Sequence, residues 1–222
     1  MMNSKELQNA KHAICLGFVL SLTWLLFGCG CPPNVKLGEI RLMKPQFLGL
    51  SGAESMTYTN AATGETLLFE GEPMQYDTEQ LIVASLCTKP PISSQFSYYE
   101  VVPFVSKRYK TGGTQYEEIY LYYKVFTPVQ GDTTSSIDLL SISGRQISMN
   151  IMVSNRGKAT VGSLPLISGT NQTRVVADTV INNQRYQQVY CQATKPTVCF
   201  TATRGVISYY RNEAWWFQTG FR

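Results

Sequence analysis

The sequence predicts a mainly β protein: an antiparallel sheet of hairpins and meanders, forming a curved sandwich or partly open barrel and preceded by one N-terminal signal helix. Three observations lead there. From Gly38 onward the chain consists of short runs rich in Val, Ile, Thr, Tyr and Phe, separated by Gly, Asn and Pro, which is the pattern of strands and tight turns. After Cys31 no apolar period of the helical kind persists over three turns. Short turn signals recur between the runs, so sequential strands are expected to pair as hairpins.

The chain starts differently. Lys5 and Lys11 precede an apolar run, Ala13 to Phe27, that ends in Gly28, Cys29 and Gly30, and no charged residue stands between Lys11 and Lys36. A basic head, an apolar middle and a small-residue exit are the layout of a secretory signal peptide. Around the exit, Leu26-Phe27-Gly28-Cys29 resembles a bacterial lipoprotein signal, with an aliphatic residue three before the cysteine and Gly just before it. Phe27 departs from the small or aliphatic residue usual between them. The resemblance implies cleavage before Cys29, then acylation of its sulfur and of its new amino group. One acyl chain alone holds a protein only marginally, whereas two or three hold it durably. The same residues also allow an ordinary cleaved signal or an uncleaved anchor, because the run through Cys31 approaches the roughly 20 apolar residues that span a bilayer. All three readings place the rest of the chain outside the cytoplasm. The expected organisation is a signal peptide over 1–28, a tether over 29–37 and a single β-rich extracytoplasmic domain over 38–222.

Along that domain the strands are read in order. Ser55–Thr59 and Glu65–Glu70 flank a loop in which Gly64 supplies the left-handed conformation. Gln80–Cys87 reads as a strand covered on both faces, with a short helix not excluded by its length. Phe96–Ser106 and Tyr116–Thr127 form a long hairpin, with Pro103 expected at an edge or a bulge. In its second strand Glu117, Ile119, Leu121, Tyr123 and Val125 share one face, the better core face. Tyr116, Tyr120, Tyr122 and Phe126, together with Glu118 and Lys124, share the other, which is either a solvated surface or a binding face. Asp132 to Ser136 is a loop. Ile137–Ile142 and Ile147–Val153 pair around Ser143-Gly144-Arg145-Gln146, where Gly144 at the first central position suits a type II′ turn. Ser163 to Asn171 is irregular and offers Leu164, Leu166 and Ile167 to one end of the core.

In the closing region, Arg174–Ile181 and Gln184–Cys191 flank Asn182-Asn183, residues suited to a type I′ turn. That register puts Tyr186, Gln188 and Tyr190 on one face and brings Asp178 near Arg185 on the other. A second hairpin, Tyr186–Cys191 to Val198–Thr203, sets Cys191 opposite Cys199 if its turn centres on Lys195. A bridge there would close a short loop, and two half-buried free thiols are the alternative. Val206–Tyr210 and Trp215–Phe221, joined at Arg211-Asn212-Glu213-Ala214, make the last hairpin.

The order of Thr179 to Tyr190, Val198-Cys199-Phe200, Arg204-Gly205-Val206-Ile207, Tyr209-Tyr210 and Trp215-Trp216 resembles the ends of many envelope lipoproteins of Bacteroidetes-type bacteria. The resemblance implies a β-rich periplasmic or surface domain and carries over no catalytic residue. Gly30-Cys31-Pro32-Pro33 stands where surface-exported members have an acidic run, which implies an outer-membrane anchor facing the periplasm. Asp132-Thr133-Thr134 and Asp178-Thr179-Val180 resemble the short O-glycosylation motif of that group.

The composition excludes several chemistries. The single histidine is His12, inside the signal, so the domain has none for a Ser-His-Asp or Cys-His nucleophile or for a His-bound zinc. With residues 1–28 removed, 17 basic and 14 acidic side chains remain, and their scatter gives no stripe for nucleic acid. Cys191 and Cys199 lack the spacing of a redox or zinc-ribbon motif, and no glycine-rich loop opens a helix, so no cofactor is expected. Carboxylates remain for catalysis, but neighbours such as Glu117 and Glu118 point to opposite faces. The expectation is a lipid-anchored, non-enzymatic envelope module that binds another envelope protein or component through sheet edges or its Tyr-rich face. The alternatives are a carrier for a hydrophobic ligand under a curved sheet, and a carboxylate-based glycan hydrolase.

Overall fold

The computed structural model describes residues 35–89, 93–112, 117–127, 135–157, 173–192 and 197–222, and for 83–89 and 93–98 the backbone only. The expected signal helix, Cys29, Cys31, Tyr116, the motif at Asp132 and the segment from Ser163 lie outside the described residues. Residues 36–84 and 98–222 form one compact unit, and residues 85–97 group with the N-terminal residues in another. Within that smaller unit the described parts are Val35 and the ends of two strands.

The protein is nearly all β, as its sequence predicts, and no helix occurs among the described residues. The strands are β1 (Val35–Glu39), β2 (Ser55–Asn60), β3 (Thr66–Gly71), β4 (Gln75–Lys89), β5 (Ser93–Thr111), β6 (Glu118–Phe126), β7 (Ile137–Gly144), β8 (Ile147–Asn155), β9 (Thr173–Ile181), β10 (Gln184–Gln192), β11 (Val198–Thr201), β12 (Gly205–Arg211) and β13 (Ala214–Phe221). In the larger unit they pair in the order β8-β7-β6-β5-β3-β2-β13-β12-β11-β10-β9, with β1 and β4 also on β5. Every strand pair with a described register is antiparallel.

The sheet curls until its two ends almost meet. Among the described residues no ladder joins β8 to β9. Instead the Thr173 hydroxyl donates to the Asn150 carbonyl at 2.7 Å, and the Gln192 amide donates to the Ser148 carbonyl at 2.7 Å. The result is a nearly closed, barrel-like sheet. Alternation along β2 and β6 turns Met56, Tyr58, Ile119, Leu121, Tyr123 and Val125 to the core, each at most 1% exposed. An irregular segment over 40–53 adds Leu42, Leu48 and Leu50 to the same cluster.

Several local expectations need correction. The tether's last residues, Val35 to Leu37, belong to β1. β4 is indeed a strand, but it is not covered on both faces, since Ile82 is 40% exposed. Gly144 is the last residue of β7 rather than a turn residue, and the loop is Arg145-Gln146 with Gln146 at φ 61°. Glycine is required at 144 for another reason: a Cβ there would lie 2.4 Å from the Glu118 carbonyl oxygen of β6. Pro103 falls just outside the β5–β6 ladder, which starts at Phe104, so its missing N–H costs no ladder bond there.

Lys107 breaks the apolar pattern. It sits in β5 between Val105 and Tyr109, 1% exposed, and its Nζ has no hydrogen-bond partner among the described residues. Burial pushes its pKa below the ordinary lysine value, opposed by the carboxylate of Glu54. Because the folded pKa is lowered, the unfolded chain binds the proton more readily, and stability rises with pH between the folded value and about 10.4. Lys107→Met is expected to stabilise the fold by about 1–3 kcal/mol at neutral pH and to remove that rise. Urea titrations at pH 7 and pH 9.5 check both.

Candidate functional site

The Tyr-rich outer face of β6 is the first candidate. Tyr120 and Tyr122 stack with centroids 6.0 Å apart, and Phe104 packs on Tyr122 at 5.0 Å. Cross-strand neighbours complete the face, because the β5–β6 register sets Arg108 opposite Tyr120. The Arg108 guanidinium lies 5.5 Å from the Tyr120 ring centre and Lys124 Nζ 5.1 Å from that of Tyr122. Glu79 of β4 accepts from the Tyr122 hydroxyl at 3.1 Å and pairs with Lys124 at 2.8 Å. Burial, then the Glu79 carboxylate, pushes the Tyr122 phenol well above its ordinary pKa. Phe126 goes elsewhere, against Ile137, Leu139 and Met152. The described part of this face is thus already paired with itself.

The second candidate arises in the closing hairpins. Asn182 and Asn183 take φ 47° and 61°, the left-handed pair that the β9–β10 turn requires. Asp178 and Arg185 form the expected exposed ion pair. The register holds from Gln184↔Ile181 to Tyr190↔Val175, but Gln188 has φ 50° and drops out of the ladder. That irregularity reverses the phase of β10. Tyr186 and Val189 then share a face with Cys191, while Tyr190 turns to the main core against Phe47. The expected common face of Tyr186, Gln188 and Tyr190 is therefore wrong.

Cys191 and Cys199 are register partners and are joined by a disulfide, with Cα atoms 4.3 Å apart. A loop this short restricts the unfolded chain modestly. Replacing both cysteines by Ala is expected to cost about 2 kcal/mol and to lower the melting temperature by roughly 5 °C. Thermal scans check this, since reductant should reproduce the loss in the wild type and leave the double variant unchanged.

The disulfide lies on the sheet face opposite the main core and floors a groove of about 220 Å³. Ser208 shares the floor and is fully buried. Alternation in β13 sends Trp216 into the core and leaves Trp215 and Phe217 on the groove side. Those two rings stack at 6.0 Å, and Tyr210 meets Trp215 edge-on at 5.5 Å. Val176, Thr179 and Ile181 of β9 form the other wall. Arg174 stands at the rim, exposed and without an ion pair among the described residues. A larger hollow beside Tyr186 contains Arg185 and Arg204. Its cations are already engaged, Arg185 by Asp178 and Arg204 over the Tyr186 and Phe221 rings.

Sequence reasoning missed this groove. It is assembled from five strands, and the change of phase at Gln188 decides which residues face it. One signal was present: Trp215, Trp216 and Phe217 in succession put aromatic rings on both faces of the last strand, one of which cannot be core.

Several carboxylates are committed to structure. Glu117 is buried and pairs with Arg211 of β12, whereas Glu118 points outward to Arg108. Glu72 pairs with Lys110 and Arg108. Glu54 accepts from the backbone amides of Ser51 and Gly52; burial raises its pKa, and the hydrogen bonds from its own amide, from Ser51 and from Gly52 together outweigh that and lower it. Asp138 accepts from the amides of Met43 and Lys44 at 2.6 and 3.0 Å and from the Ser154 hydroxyl at 2.7 Å. Among the described residues no group of three His, Cys, Asp or Glu side chains is placed to hold a metal. Comparison with family models, with curated proteins and with solved structures found no match.

Proposed function

We propose that this protein is a lipid-anchored, non-enzymatic binding module of a bacterial cell envelope. It is held at Cys29 on the periplasmic side of the outer membrane and meets another envelope protein through the groove between β9 and β13. The observation that carries this reading is the groove itself. Large apolar side chains on the solvent face of a sheet mark an interaction surface when they are contiguous, and here they surround a buried floor. The Tyr-rich face, expected from sequence as the contact, supports the reading less because its rings and charges already satisfy one another.

Two further features support an anchored module. Along β2 and β6 the aliphatic residues face inward, and Thr57, Thr59, Glu118 and Lys124 stand outward beside Tyr120 and Tyr122, a more polar outer face than that of a barrel that spans a membrane with its strands. Glu117, Glu72 and Glu54 are engaged by Arg211, Lys110 and backbone amides, which supports a structural rather than a hydrolytic use of these three carboxylates. The anchor is tested on the full chain expressed in a Gram-negative cell. Mass spectrometry should find a mature N-terminus at Cys29 carrying acyl chains, and Cys29→Ala should release the protein from the membrane fraction. An unmodified N-terminus that retains residues 1–28 would refute the anchor.

A further inference from the structure

Resting on that reading, we infer that the β9–β13 groove is an anchor pocket for one large apolar side chain of a partner protein, presented beside a carboxylate. Size selects the occupant class. At about 220 Å³ the groove exceeds the about 150 Å³ cavity that accepts a benzene ring. It falls short of the roughly 300 Å³ at which sites for whole small molecules begin. One aromatic or branched aliphatic side chain fills such a space, and single anchors of this kind dominate protein interfaces.

The lining fits that occupant. Trp215 and Phe217 offer ring faces on one side, Val176 and Ile181 offer branched carbons on the other, and the disulfide closes the bottom. An inserted ring would meet Trp215 and Phe217 in offset or edge contact, the favoured aromatic geometries. Charge selects the neighbour. Among the described residues Arg174 is the one charged residue on the groove's lining, and its guanidinium has no ion partner among them. A carboxylate beside the anchor would gain a bidentate partner there, whereas a lysine would be repelled. A partner segment with a Phe, Leu or Ile next to Asp or Glu satisfies both requirements.

The test uses the full chain in detergent and a capped Gly/Ser peptide carrying one Phe next to one Glu, titrated by calorimetry. Saturable binding is expected. Replacing Phe by Ala should abolish it, and replacing Glu by Gln should weaken it about tenfold. Arg174→Glu, a change at an exposed site, should weaken the Glu peptide at least tenfold and restore affinity for a peptide with Arg in place of Glu. Val176→Asp should abolish binding of both, with an unchanged far-ultraviolet spectrum as the folding control.

Several results would overturn the inference. They are no binding at millimolar peptide, binding indifferent to the Phe or to Arg174, decanoate that binds where the peptide does not, and self-association that Arg174→Glu abolishes. The last two would assign the groove to a small amphiphile or to a second copy. A peptide that fails while the membrane-bound chain still crosslinks an envelope protein through Tyr120 would reject the anchor pocket and leave the binding-module reading standing.

Discussion

Arg211→Met is expected to destabilise the protein by about 3–5 kcal/mol, the largest single effect in the fold. Arg211 and Glu117 are 7% and 5% exposed, and each is the other's ion partner. Removing the guanidinium strands a carboxylate away from water, and breaking a buried pair from one side costs about that much because the remaining charge is uncompensated. Glu117→Leu alone should cost a similar amount by stranding the guanidinium. The double variant, Arg211→Met with Glu117→Leu, should recover most of the loss, since apolar replacement of both partners is often neutral or stabilising. A double-mutant cycle by urea denaturation measures the coupling. Additive losses in the double variant would show that the two residues do not act as a pair. The geometry says why the pair matters to the fold: Glu117 stands at the entry to β6 and Arg211 at the end of β12, strands far apart in the pairing order.

The second large effect is at Asp138. It is fully buried in β7 and accepts from two backbone amides and from the hydroxyls of Ser154 and Tyr123, with Arg156 Nη2 3.6 Å from its other oxygen. The two amides belong to Met43 and Lys44, so this carboxylate pins the irregular segment that brings Leu42, Leu48 and Leu50 into the core. Asp138→Ala leaves these donors without an acceptor, each at about 1–3 kcal/mol, and the expected total is about 4 kcal/mol. Hydrogen exchange separates this from a general loss of stability. The Met43 and Lys44 amides should exchange much faster than those of β6 and β7, whereas equal acceleration everywhere would contradict the pinning role.

These two sites also mark what the sequence could say. Alternation along Tyr116–Phe126 placed Glu117 on the core face, and the structure puts it there, but nothing local named its partner. Arg211 reads as a turn residue because it opens the polar run Arg211-Asn212-Glu213. In fact Asn212 and Glu213 alone make the turn, at φ 48° and 63°, and Arg211 completes β12. Hairpins were legible wherever turn chemistry is local. Asn182-Asn183 fixes the β9–β10 register and with it the Asp178–Arg185 pair, and a turn centred on Lys195 sets Cys191 opposite Cys199. Faces were not legible past an irregularity. Gln187-Gln188 offers no apolar contrast, so the phase change at Gln188 left no trace in the pattern. The groove depends on that change and on β9 and β13 meeting across five strands, and such long-range assembly has no sequence period to announce it. The irregular 40–53 segment escaped for a related reason: its contacts are made with β7 and with the loop at Ala202, both far along the chain.

Recognition through the groove is tested most directly by site-specific photocrosslinking in intact cells, with benzoylphenylalanine placed at position 217 in the groove or at position 122 on the Tyr-rich face. A discrete adduct with one envelope protein is expected from position 217, lost on Arg174→Glu and on Cys29→Ala. Position 122 should give weaker or no adduct. Adducts from position 122 alone, or adducts from 217 that survive both substitutions, would contradict recognition through the groove.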